Sequence, residues 1–242
     1  MLDVNKDEFI VFDTETTGID PDLGHKIIEI GAVRYVDGKM TDDIFHEYID
    51  PQREIPYEAM EVHGLSRQDC VELGNGKTFA DVADDLIHFF EGTIAVAHNA
   101  PFDTGFLDHE LSALGKGTFT EICTVIDSLG YANGISPTKK NSLDHLAKRY
   151  GITEFDRSLH GALLDSKILA ETFMAMRKSQ NHLNMNDVLD SAKAKRRIIN
   201  LSDLIKPISK DISLSLPVMK IDSETQKKHE DYLSDIDKEL SW

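Results

Sequence analysis

The stretch that decides the fold is Phe9-Ile-Val-Phe-Asp-Thr-Glu-Thr-Thr-Gly18. Its first four residues are an apolar, β-branched and aromatic run that reads as a buried strand. The strand leads directly into two acids spaced by one residue. Side chains alternate along a strand, so Asp13 and Glu15 point to the same face. Two carboxylates held this close repel each other and are costly to keep ionised without a cation. A hard divalent ion such as Mg²⁺ or Mn²⁺, bound through carboxylate oxygens, removes the conflict. Asp-x-Glu is a common tripeptide, however, and by itself it marks no more than an acidic strand end.

Working outward, Ile27–Val36 continues in β style, and Ile44–Ile49 reads as a third strand. Short polar connections between these strands predict an antiparallel meander. The period then changes. Thr78 is a good N-cap for Phe79, Val82, Ala83, Leu86, Ile87 and Phe90 at helical spacing. Thr93–Ala97 is a short strand and Phe102–Leu114 a helix closed by Gly115. Glu121–Ile126 is expected as another strand, Ser142–Tyr150 as a helix stopped by Gly151, and Ala162–Met176 as a longer helix. Three strands followed by alternating helices and strands predict an α/β domain with a mixed central sheet flanked by helices.

Two further constellations carry chemistry. His98-Asn-Ala-Pro-Phe-Asp103 follows a strand and enters a helix, and in α/β sheets ligand sites gather at the carboxyl ends of strands. His160-Gly-Ala-Leu-Leu-Asp165 comes late in the domain. On one continuous helix five residues turn through ~500°, about 140° past a full turn, which would put the two side chains on different faces. They converge if His160 lies in the loop before the helix and Asp165 in its first turns, an entry that Gly161 eases. Each motif alone has a plainer reading, as a helix-start acid favoured by the macrodipole or as a surface histidine.

The 242 residues carry a net charge of −17, with 40% hydrophobic and 29% charged residues. Such a chain can build a core, and it has no apolar stretch near the ~18 residues a membrane span needs. Its polar, acidic start is unlike a secretory leader. Cys70 and Cys123 lack metal-type spacing and are expected to be buried, reduced thiols of a cytoplasmic protein. Acidity opposes nucleic-acid binding, because phosphates prefer basic surfaces. The objection weakens where carboxylates hold divalent cations, since the site then offers positive charge to a phosphate. The charge is uneven. Residues 1–179 carry 16 Lys and Arg against 32 Asp and Glu, and residues 180–242 carry 10 against 11.

Taken together, Phe-Asp-Thr-Glu-Thr-Thr-Gly, Lys26-Ile-Ile-Glu-Ile-Gly-Ala-Val33, Val62-His-Gly64, His-Asn-Ala-Pro-Phe-Asp and His-Gly-Ala-Leu-Leu-Asp-Ser strongly resemble the DnaQ-like DEDDh exonucleases, over residues 7–177. That family has an RNase H-like fold. Within it the chain looks most like the proofreading members of bacterial DNA polymerase III. The resemblance implies 3′→5′ hydrolysis of a single-stranded or frayed DNA 3′ end, releasing nucleoside 5′-monophosphates. It implies two divalent ions, Mg²⁺ or Mn²⁺, at Asp13, Glu15, Asp103 and Asp165. His160 would be the general base, and imidazole, which ordinarily titrates near ~6.5, is suited to that task. Thr14, Thr16, Glu58, His63 and His98 fall where the family meets the terminal nucleotide, together with the metal acids Asp13, Glu15 and Asp165. The same motifs would serve an RNA-trimming or short-oligonucleotide exonuclease. A catalytically silent assembly subunit is a further alternative, disfavoured because all five motif residues are present.

Beyond the exonuclease domain, 1–179, the polar, Asn-rich segment 180–186 is expected to be a linker. Residues 187–242 hold an apolar cluster (Ile198, Ile199, Leu201, Leu204, Ile205, Ile208) and end in Trp242. About sixty residues make at best a marginal domain alone. The family resemblance implies that this tail binds the catalytic (alpha) subunit of the polymerase. Gln180, Leu183 and Met185 loosely resemble a clamp-binding Gln-x-x-Leu-x-Phe peptide with Met replacing Phe, and a small theta-like accessory subunit is another expected partner.

Overall fold

In the computed structural model the acidic pair lies inside the first strand, β1 (Glu8–Thr16), and not past its end. The model describes residues 8–152 and 160–179, so the linker, the clamp-like peptide and the tail read above lie outside the described residues. β2 (Ile27–Val36) and β3 (Lys39–Tyr48) follow, then α1 (Tyr57–His63), α2 (Arg67–Leu73) and α3 (Phe79–Phe90). Next come β4 (Ile94–Ala97), α4 (Ala100–Ala113), α5 (Phe119–Ile122), β5 (Thr124–Asp127), α6 (Ser128–Ile135), α7 (Leu143–Tyr150) and α8 (Ala162–Ser179). The five strands form one mixed sheet in the order β3-β2-β1-β4-β5. β1, β2 and β3 pair antiparallel as the expected meander, while β4 lies parallel to β1 and β5 parallel to β4.

Three boundaries differ from the sequence reading, and three short helices were not read. β3 starts at Lys39 and not Ile44, because its first residues are polar and lie on an exposed sheet edge that hydrophobic patterning does not mark. The turn before it, Asp37-Gly38, has φ of 50° and 82°, as a tight hairpin requires. Glu121 and Ile122, read as strand, belong to the helical turn α5, which the Thr118–Glu121 capping box closes. α4 begins at Ala100 and not Phe102, since Pro101 suits a first helical turn. The short helices α1, α2 and α6 escaped the sequence reading, being too brief to show a helical period.

β1 divides the core by residue parity. Phe9 and Val11 pack on one face with Ile168, Leu169 and Phe173 of α8. Ile10 and Phe12 pack on the other with Val82 and Leu86 of α3 and Phe106 of α4. Following the alternation into the motif, Asp13 and Glu15 continue the α8 face and Thr14 the α4 face. β1 and β2 stay in register through Asp13↔Gly31 and Glu15↔Glu29, and the ladder slips only between Glu15 and Thr16. Cys70 and Cys123 are buried free thiols, and burial pushes Cys70 up to about 11. No helix among the described residues is long and apolar enough to cross a membrane.

Gly31 sets how close α8 comes to the sheet. A Cβ there would overlap backbone atoms of Ala162 and Leu163. The Ser166 hydroxyl donates to the Gly31 carbonyl (2.7 Å) and closes the contact. Gly31→Ala is therefore expected to push the start of α8, and Asp165 with it, away from β1. Overpacking of this kind costs about 1–3 kcal/mol, seen as a Tm lower by roughly 2–10 °C. A thermal melt and a nuclease assay check it; a variant with unchanged Tm and rate would show that the approach is not tight.

Candidate active site

The carboxyl ends of the adjacent parallel strands β1 and β4 open into a cavity of about 700 Å³. Ligand sites in α/β sheets form in this position, where neighbouring connections leave in opposite directions. The walls are the end of β1, helix α1, the β4–α4 turn, the start of α7 and the loop into α8. All ten residues singled out in the sequence line this cavity: Asp13, Thr14, Glu15, Thr16, Glu58, His63, His98, Asp103, His160 and Asp165.

Asp103 reaches the site from the first turn of α4 and is 2% exposed. The Thr14 amide (3.0 Å) and hydroxyl (2.7 Å) both donate to its Oδ1. Opposite, Asp165 stands in the first turn of α8, and His160 in the loop ahead of it, the arrangement that lets the pair converge. The His160 amide donates to the Val62 carbonyl (3.2 Å), which ties this loop to α1. His160 Nδ1 lies 3.0 Å from Asp165 Oδ2; the His160 side chain is 44% exposed and that of Asp165 3%. With the proton on Nδ1 donated to the carboxylate, the basic lone pair of the ring is on Nε2. One ligand atom from each of Glu15, His160 and Asp165 falls within 4.8 Å of the others. Asp13 lines the same cavity from β1. This donor set, mainly carboxylate oxygens, fits a hard divalent cation.

Most of the remaining wall residues are held by hydrogen bonds of their own. The Thr16 hydroxyl donates to the Gly18 carbonyl (2.5 Å). The hydroxyl protons of Thr14 and Thr16 are thus directed at protein acceptors. His63 is 5% exposed, and its Nδ1 accepts the Leu65 amide (3.1 Å). Burial holds the ring below the usual imidazole range, against the opposing pull of nearby Glu29 and the Thr16 backbone. A neutral His63 with Nδ1 as acceptor carries its proton on Nε2. His98 Nδ1 lies 2.9 Å from the Ser128 hydroxyl. Glu58 is exposed on α1.

Asp127, at the end of β5, is a residue the sequence reading missed. Its carboxylate accepts four amides, from Asn99 (3.1 Å), Ala100 (3.3 Å), Leu129 (3.1 Å) and Gly130 (3.1 Å). It thereby caps α6 and fixes the β4–α4 turn, where Asn99 adopts φ 68°. That turn sets both His98 and Asp103. The signal was present as Val-Ile-Asp-Ser-Leu-Gly, an acid between a strand and a helix, but the expected strand stopped at Ile126.

Burial pushes the Asp103 carboxyl up to about 7, with Asp127 adding to the rise and the Thr14 hydrogen bonds opposing it. An acid raised on folding binds more protons folded than unfolded between its two pKa values. Without divalent metal, stability is therefore expected to fall as pH rises from about 4 to about 7. A cation that displaces the proton should raise Tm more at pH 7.5 than at 5.5. Melts in chelator and in Mn²⁺, compared with Asp103→Asn, test this; equal slopes for the variant and the parent would refute it.

Fold and site together point to a class, the metal-dependent 3′→5′ exonucleases. The RNase_T exonuclease family matches residues 10–173. The chain is 44% identical to the DNA polymerase III subunit epsilon of Escherichia coli (strain K12), over 72% of this chain and 73% of that one. It is 38% identical to that of Rickettsia conorii (strain ATCC VR-613 / Malish 7), over 94% and 95% of the two chains. The chain belongs to this exonuclease family, among the epsilon subunits. A solved exonuclease X in complex with 5′ overhanging duplex DNA shares the fold, with a TM-score of 0.57 and 24% identity over 72% of this chain and 94% of that one.

Proposed function

We propose that the chain removes mismatched nucleotides from DNA 3′ ends as the proofreading subunit of a bacterial DNA polymerase III, in the cytoplasm. The observation that carries this reading is the convergence of three elements on the end of β1: Asp103 from α4, His160 and Asp165 at the start of α8, and the strand's own Asp13 and Glu15. Two divalent ions, Mg²⁺ or Mn²⁺, would be held by Asp13, Glu15, Asp103 and Asp165. Bound there, they supply Lewis-acid stabilisation of the attacking and leaving oxygens of an in-line displacement.

His160 takes the proton of the attacking water at Nε2, while Asp165 orients the ring through Nδ1. The terminal nucleotide lies between the β1 end and α1, where Glu58 meets the sugar, His63 stands beside the base and Thr14 and Thr16 flank the metal acids. His98 stands near the scissile end. Unpairing a matched end costs free energy that a mismatched end has already lost, which gives preference for the frayed terminus.

Residues 187–242 are assigned to the polymerase alpha subunit, Gln180–Met185 to the sliding clamp, and a theta-like subunit completes the set. Support comes from the apolar cluster and from relatives named as polymerase subunits that match along the tail as well. Deleting 187–242 should abolish co-purification with alpha and spare nuclease activity, and Leu183→Ala should weaken clamp binding. DNA 3′ ends should be degraded faster than RNA 3′ ends. Retained co-purification, or an RNA preference, would contradict the assignment.

A further inference from the structure

The acidic chain must hold a polyanion, and several of its cations are committed to its own carboxylates. Lys26, Arg34, Arg67, Lys77 and Lys116 each lie within ion-pair distance of a carboxylate. The segment 136–152 breaks the pattern, with four Lys and Arg against one Asp. Among the described residues, Lys139 and Lys140 are exposed and have no carboxylate partner. Their loop is built rather than loose. Asn141 is buried and donates to Asn133 Oδ1 (2.8 Å) and the Ser136 carbonyl (3.0 Å). Arg149 reaches back from α7 to Asn141 Oδ1 (3.0 Å) and the Lys140 carbonyl (2.6 Å). The guanidinium thus braces the loop through neutral acceptors. The next residues, Ser142, Leu143 and Asp144, line the cavity itself. Two residues span at most about 7 Å, so the Lys140 backbone lies within that distance of the cavity-lining Ser142.

We propose that Lys139 and Lys140 form the entry contact for the strand, pairing with backbone phosphates upstream of the 3′-terminal nucleotide. The proposal rests on the exonuclease reading and adds to it the surface that holds the rest of the strand. Phosphate contacts position a strand without reading its sequence, which suits an enzyme that must accept any terminus. They also make affinity salt-dependent through counterion release.

The test uses the full chain and two probes. One is a single-stranded oligodeoxynucleotide with a 3′-hydroxyl; the other is the p-nitrophenyl ester of thymidine 5′-monophosphate, one phosphate with no upstream strand. For the double variant Lys139→Gln/Lys140→Gln, two lost contacts should flatten the slope of log kcat/KM against log salt by about 1.4 on the oligonucleotide. Between 50 and 200 mM salt the parent should then lose about seven-fold more kcat/KM than the variant. Hydrolysis of the ester should hold, the Arg/Arg variant should keep the parent slope, and Lys148→Gln, at the far end of α7, should leave it nearly unchanged. An unchanged slope in the Gln/Gln variant, an equal effect from Lys148→Gln, or loss of ester hydrolysis would overturn the proposal. A parent inactive on both probes would instead bring down the exonuclease reading beneath it.

Discussion

Asp165→Ala lowers monophosphate release by at least about 10³-fold, the several kcal/mol that charge stabilisation at a metal-assisted transition state supplies. The variant loses more than a ligand. Asp165 Oδ2 is the partner of His160 Nδ1, so the ring loses the group that fixes its tautomer and direction. Folding stability is expected to move the other way. Without metal, Asp165 and Glu15 offer ligand oxygens within 4.8 Å of each other, and removing one of two crowded acids relieves repulsion. The melt in chelator should therefore hold or rise while activity collapses, the trade expected of a strained functional site. Parallel loss of Tm and activity would identify Asp165 as a structural residue instead.

His160→Ala is expected to slow hydrolysis by about 10²–10⁴-fold, the usual contribution of a positioned general base. Because His160 also sits among the potential metal donors, the assay must separate two roles. A lost ligand is restored by raising the metal concentration. A lost base is not, but the residual rate climbs with pH as hydroxide replaces the assisted water. The expectation is no rescue by Mn²⁺ and a rate that keeps rising with pH; rescue by metal to near the parent rate would make His160 a ligand.

The acids were legible because a strand period places Asp13 and Glu15 together and because the motifs recur in a fixed order. The entry of His160 and Asp165 into α8 also followed from local geometry: a glycine between them and a rotation that a continuous helix could not reconcile. Contacts between distant segments were not legible. Thr14 and Asp103 are 89 residues apart, and nothing in either motif says that the threonine hydroxyl holds the acid and not a nucleotide. Asp127 fell just past the expected strand Glu121–Ile126, and only the sheet, which sets β5 beside β4, turns it into the brace for the His98–Asp103 turn. The meander was read correctly in order and partly in extent, since the polar half of β3 sits on an edge where burial leaves no trace in the sequence.

The central claim is that Asp13, Glu15, Asp103, His160 and Asp165 form one metal-dependent phosphodiesterase site for a DNA 3′ end. It is tested most directly by following nucleoside monophosphates released from a 3′-mismatched DNA primer, with and without Mg²⁺ or Mn²⁺, for the parent and for Asp13→Ala. The account predicts stepwise release from the 3′ end that requires the metal and disappears in the variant. No release by the parent with either metal, or equal release by Asp13→Ala, would contradict it.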